Sequence, residues 1–218
     1  MPAFGFSAFL KLLSFTARRQ RSAIAARLQP SEGGYDFHAG FRRLAGRYLA
    51  GGETLLDLLA EADAMRNPAE GRYARAGLEF LAEWRDEFPG RLNAFDPRTY
   101  ESPSAAFKVR YTPDFGIEID GQWVAVHIWK TRTPDLDARM TYVALSLFER
   151  LYDDHQDGPD DLAVLSLPDR QLLRLSDVVV DGLLAGRVVT AIERMIEEVD
   201  DERRPPSPPS VDDQPRLS

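Results

Sequence analysis

Asp120-Gly121 stands between two apolar-rich runs, Phe115 to Ile119 and Gln122 to Thr131. An Asp-Gly pair in this setting specifies a two-residue hairpin turn, because both central positions of that turn need positive φ. The two runs are therefore expected to pair as antiparallel strands. Asp114, preceded by Pro113, then lies at the same end of the hairpin as Lys130. Alternation puts Lys130 on one face with Val124, Val126 and Ile128, and His127 on the other with Trp123, Ala125 and Trp129. On the first strand Gly116, Glu118 and Asp120 share the face of Asp114.

Pro113-Asp114 on one strand and Lys130-Thr131 closing the next resemble the PD-(D/E)xK nuclease superfamily. Its core runs helix, three strands, helix, strand. Its active site joins an Asp from the second strand to a Glu/Asp-x-Lys from the third. The resemblance implies an α/β, restriction-endonuclease-like core with a helix, a three-stranded antiparallel hairpin sheet, a helix and a strand, preceded by a helical N-terminal extension. It also implies that Asp114 and Lys130 are catalytic positions. In that family two carboxylates hold Mg or Mn, which activates water and stabilises the charge developing on the phosphate. The second carboxylate belongs two residues before the lysine, and this chain has Ile128 there. In the RecB-like branch the following helix carries Gln-x-x-x-Tyr; Tyr142 stands near that place, with Ala138 four residues before it.

Two glutamates are candidates to replace the missing ligand. Glu118 shares the face of Asp114, further along the strand, and Glu79 lies on the helix that precedes the sheet. Metal ligation would then fall to Asp114 and Glu118. The plainer alternatives are a structural ion pair between Asp114 and Lys130, a solvated helix face for Glu79, and a core or rim position for His127. Two functions follow. One is a degenerate nuclease-like protein that binds nucleic acid or serves as a scaffold, with impaired or no catalysis. The other is an active Mg- or Mn-dependent DNA nuclease with a displaced carboxylate.

Composition removes other chemistries. The chain has no cysteine, which excludes thiolate metal sites and thiol catalysis and agrees with a reducing cytoplasm. Its three histidines are His38, His127 and His155, and no two have the helical spacing of a zinc site. The formal net charge of −8 argues against coating nucleic acid by bulk electrostatics. The charge is unevenly spread: the first fifty residues hold Lys11, Arg18, Arg19, Arg21, Arg27, Arg42, Arg43 and Arg47 against Glu32 and Asp36. Arg42 and Arg43, with Lys108 and Arg110 on one face of a strand over Ala105 to Tyr111, are candidate phosphate contacts.

Phe4 to Leu28 is read as helical, an apolar block followed by arginines. That order is wrong for a signal peptide, and the run is too short to span a bilayer. It is expected to pack as the first helix of the fold or against a protein partner, with a membrane-surface helix as the alternative. Gly33-Gly34 reads as a break. Helices are predicted near Phe37–Ala50 and Thr54–Ala64, over Ala69 to about Phe88 behind Pro68, from Pro134 to about Asp153, and from Val178 to Val199. Leu162 to Leu167 reads as a doubly buried strand that turns at Pro168-Asp169 into Gln171–Leu175. The expected organisation is a helical region over 1–66, a core over 67–199 and a disordered Pro/Ser-rich tail over 200–218.

Overall fold

The computed structural model describes residues 1–29, 35–153 and 157–203. Gly33-Gly34, His155 and the Pro/Ser-rich stretch beyond Arg203 lie outside the described residues. The chain is a mixed α/β protein with two sheets. The larger has five strands in the order β2 (Leu92–Asn93), β5 (Phe115–Ile119), β6 (Gln122–Trp129), β7 (Asp161–Ser166) and β8 (Gln171–Arg174). The smaller has three, in the order β1 (Ala3–Gly5), β4 (Lys108–Tyr111) and β3 (Arg98–Glu101).

The β5–β6 hairpin has the expected register, with Phe115 opposite Val126 and Ile119 opposite Gln122. Asp120 and Gly121 have φ of 53° and 79°, the left-handed conformations that a tight, strand-compatible turn requires. β7 runs parallel to β6, and its six residues are all buried. Helix α6 (Ala138–Ser146) lies within the crossover between them, as a parallel connection needs.

The N-terminal segment differs from the expected continuous helix. It is a short strand, β1, then α1 (Phe6–Leu13) and α2 (Ala17–Arg27). The run Phe107-Lys108-Val109-Arg110-Tyr111 forms a strand, but not the first strand of the hairpin sheet. It pairs with β1 in parallel and with β3 antiparallel. Its place beside β5 is taken by the two residues of β2. The reason lies in which faces are buried: Phe107, Val109 and Tyr111 are fully covered, and the Tyr111 hydroxyl donates to the Ala125 carbonyl of β6 at 2.8 Å. β4 therefore packs over the hairpin sheet instead of extending it.

Each face of the larger sheet has its own core. Val124, Val126, Ile128, Ala163 and Leu165 pack under α3 (Ala39–Leu49), α4 (Leu55–Asp63) and α5 (Pro68–Glu87), against side chains such as Phe41, Leu44, Leu58, Leu78 and Leu81. Ala125, Trp129, Leu162 and Val164 face the smaller sheet and the apolar sides of α1, α6 and α8 (Gly182–Arg203). Phe6, Phe9, Leu10, Leu12 and Leu13 of α1 are all buried there. Each such side chain contributes about 1.5–3 kcal/mol, so α1 is an integral core helix, and its apolar face is already covered by the chain itself.

Several boundaries also move. The helix expected over 134–153 is interrupted after Ser146 and resumes as α7 (Glu149–Asp153). The last helix starts at Gly182, not Val178, and continues through Arg203, so residues 200–203 are helical and do not begin a disordered tail. Among the described residues, no helix is long and apolar enough to cross a membrane.

Candidate active site

Asp114 enters the sheet just ahead of β5, and its amide donates to the Val126 carbonyl at 2.8 Å. This places the carboxylate beside the last residues of β6. Oδ2 accepts the Ile128 amide at 2.7 Å. Lys130 Nζ reaches both oxygens, at 3.1 and 3.3 Å, and also donates to the Ile128 carbonyl at 2.8 Å. Lys130 is only 7% exposed. Its backbone carbonyl accepts from the Tyr73 hydroxyl of α5, which fixes the segment leaving the strand.

His127 lies beside Asp114 at the end of the hairpin and is buried. Its Nδ1 lies 3.2 Å from the Thr112 carbonyl and 3.3 Å from Asp114 Oδ2, and Nε2 lies 2.7 Å from Ser7 Oγ. Two acceptors at Nδ1 assign the ring proton there, so Ser7 donates to Nε2. The serine is the second residue of α1, and the relay ties that helix to the hairpin.

Burial dominates the electrostatics. It pushes the His127 imidazole down to about 4, so the ring is neutral near pH 7. Burial also lowers the Lys130 ammonium, while Asp114 opposes the shift. Burial would raise the Asp114 carboxyl; the Lys130 charge, with the Ile128 and Lys130 hydrogen bonds, outweighs this and holds it below its ordinary range. Desolvation, then the charges of Lys11 and Lys130, depress His38. His38 Nδ1 is buried without a hydrogen-bond partner among the described residues.

The other sequence candidates do not join this pair. Glu118 is near the turn end of β5, opposite Trp123, and is bound to Arg91 at 2.7 Å. Glu79 is paired with Arg75 at 3.0 Å on α5. Ile128 is buried on the helix-covered face, in the core with Phe41 and Leu78. Arg42 is bound to Asp36, Arg43 to Glu61, and Arg47 to both Glu53 and Glu61. Lys108 pairs with Glu101 at 2.8 Å, while Arg110 is exposed on the smaller sheet. Tyr142 is half-buried near Asp177.

These donors fit an ion pair better than a divalent cation. Asp114 Oδ2 already faces three nitrogen atoms of the chain within 3.3 Å, and Mg or Mn needs several oxygen ligands converging on one point. Among the described residues, no group of three or more His, Asp or Glu side chains is placed to hold a metal.

No family model matches the chain, and no curated protein matches it. Among solved structures, the chain titled "Crystal structure of SSO0001" aligns over 88% of this chain and 85% of its own length, at 14% identity and a TM-score of 0.31. A likeness that slight carries no argument about fold or function.

Sequence reasoning missed the Ser7–His127 link, since the partners are 120 positions apart and a lone serine in an apolar block carries no pattern. It also missed Tyr73 as the residue that holds the Lys130 carbonyl. A tyrosine on the buried side of a helix is an ordinary core residue until the strand end beside it is known.

Proposed function

We propose that this protein is a PD-(D/E)xK nuclease-like protein with a degenerate active site, which associates with nucleic acid as a binding or scaffold protein and has impaired or no catalysis. One observation carries the reading: Asp114 and Lys130 meet across the open end of the β5–β6 hairpin, where the third member of the motif is the buried Ile128. The surrounding order supports it. A long helix, α5, precedes the hairpin, and β7 returns parallel to β6 after α6. A fold-level likeness does not itself carry an activity.

In this reading the ion pair is inherited architecture. With Ile128 in the ligand position, Asp114 is turned toward Lys130 and the Ile128 amide, and the pair holds the hairpin end closed. The alternative, an active Mg- or Mn-dependent nuclease, requires Glu118 to leave Arg91 or Glu79 to leave Arg75 and travel to Asp114. No observation favours that movement.

The test is a cleavage assay on labelled single-stranded and duplex DNA with Mg and with Mn, run beside binding measurements in EDTA. The reading predicts binding without cleavage. Cleavage abolished by Asp114→Asn would overturn the degenerate-site assignment, and absence of binding to either DNA form would remove the nucleic-acid role.

A further inference from the structure

A second feature opens two residues beyond Lys130. A cleft of about 450 Å3 lies between α5 and the segments after β6 and β7, within the size range of small-ligand sites, about 300–1,000 Å3. Phe37, Tyr73 and Phe80 supply its aromatic walls, and Arg72 and Arg132 also line it. The rings of Phe37 and Tyr73 meet edge to face at 5.6 Å. Both are half-buried, so part of each ring remains accessible.

The charge in this cleft is not neutralised. Its lining contains no carboxylate. Arg72 and Arg132 are exposed and form no ion pair among the described residues, in contrast to Arg42, Arg43 and Arg47. Unpaired arginines occur elsewhere on this surface. What distinguishes these two is that they line the same concave site as accessible aromatic rings. A purely apolar ligand would leave both guanidinium groups unanswered, whereas a flat ring carrying a phosphate uses every element of the lining.

We infer that this cleft holds one unpaired nucleotide of a single-stranded nucleic acid, with its base against Phe37 and Tyr73 and its flanking phosphates on Arg72 and Arg132. The inference rests on the nucleic-acid reading above and specifies the form of the ligand. Bases of a duplex are stacked on one another and cannot present a face to these rings, while a single strand can. Guanidinium groups fit phosphate oxygens in a bidentate manner. The Tyr73 hydroxyl is committed to the Lys130 carbonyl, so the ring's contribution is its face, and the bound strand passes beside the hairpin end.

The experiment is fluorescence anisotropy in EDTA, with a fluorescein-labelled single-stranded oligodeoxynucleotide and with the same strand annealed to its complement. The intact 218-residue chain is used at several salt concentrations. Expected is tighter binding of the single strand. Arg72→Gln combined with Arg132→Gln lowers the magnitude of its log–log salt slope by about 1.4, which corresponds to two phosphate contacts. Phe37→Ala weakens single-strand binding about fivefold or more through lost stacking, and Arg187→Gln on the exposed side of α8 leaves it unchanged. The arginines are exposed, so their double variant should keep the wild-type melting temperature and serves as the decisive arm if Phe37→Ala does not fold. Wild-type affinity and slope in the double variant would overturn the cleft assignment while leaving the nucleic-acid reading in place. Equal binding of duplex and single strand would overturn the unpaired-base assignment. Failure of the wild type to bind either DNA would overturn both.

Discussion

Lys130 and Arg132 are two residues apart and sit in opposite environments. Lys130 is buried, holds both oxygens of Asp114 and donates to a backbone carbonyl. Arg132 is exposed and lines a cleft without a carboxylate. The first cation is spent on the chain itself, and the second has hydrogen-bonding capacity left for a ligand. Residue type and spacing alone pointed to the lysine; accounting for partners points to the arginine. The same accounting applies to α3, where Arg43 and Arg47 share Glu61 and leave little charge for phosphate.

Lys130 would no longer differ from Arg132 if the hairpin end were not a closed pair. Asp114→Ala leaves the Lys130 ammonium buried without its counter-charge, and urea unfolding should show a loss of about 3–5 kcal/mol. A loss close to zero would mean that the pair is solvated in solution. Lys130→Met should cost somewhat less, because the Asp114 carboxylate it leaves without a counter-charge is more exposed than the ammonium, 19% against 8%, and keeps the Ile128 amide.

Ile128→Glu would introduce the carboxylate that the PD-(D/E)xK pattern carries at this position, at a side chain only 1% exposed. The glutamate would enter the core with Phe41 and Leu78, and the expected result is destabilisation by roughly 3 kcal/mol or more. A stable variant that gains Mn affinity would instead place position 128 at an accessible metal site.

Acid should weaken the protein through His127. Its folded-state value of about 4 lies below the ordinary 6.5, so between these limits the unfolded chain binds more protons. Stability is therefore lost as the pH falls from about 6.5 toward 4, by about 2–3 kcal/mol at the lower end. His127→Gln should flatten that part of the curve. His38 is lowered in the same direction, first by burial, and leaves a residual slope. A wild-type curve that is level from pH 6.5 to 4 would contradict the buried, neutral ring.

The smallest effect is expected on the helical surface. Glu61→Gln removes a shared partner of Arg43 and Arg47 at partly exposed side chains, and no measurable change in Tm is expected. A clear drop would show that this network contributes to holding α3 on α4.

Much of the fold was legible because it rests on local rules. Asp120-Gly121 defined the hairpin, Pro68 opened α5, and the apolar run around Leu162–Leu167 gave a buried strand. β1 and β2 were not legible, since strands of three and two residues are too short to show a period. The alternation in Phe107–Tyr111 gave a strand but not its sheet, because partner choice depends on β1. In the site, the meeting of Asp114 and Lys130 followed from the turn. The commitments of Glu118 to Arg91 and of Glu79 to Arg75 needed the register and the helix orientation. The cleft draws ordinary residues from four separated segments, and only their packing gives it a shape.

In the proposed reading Asp114 and Lys130 form a closed ion pair and not half of a metal centre. Calorimetric titration of Mn and Mg into the wild type and into Asp114→Asn tests it most directly. The account predicts no saturable heat that depends on Asp114 in either protein. Saturable binding to the wild type that is lost in Asp114→Asn would contradict it and favour the active-nuclease alternative.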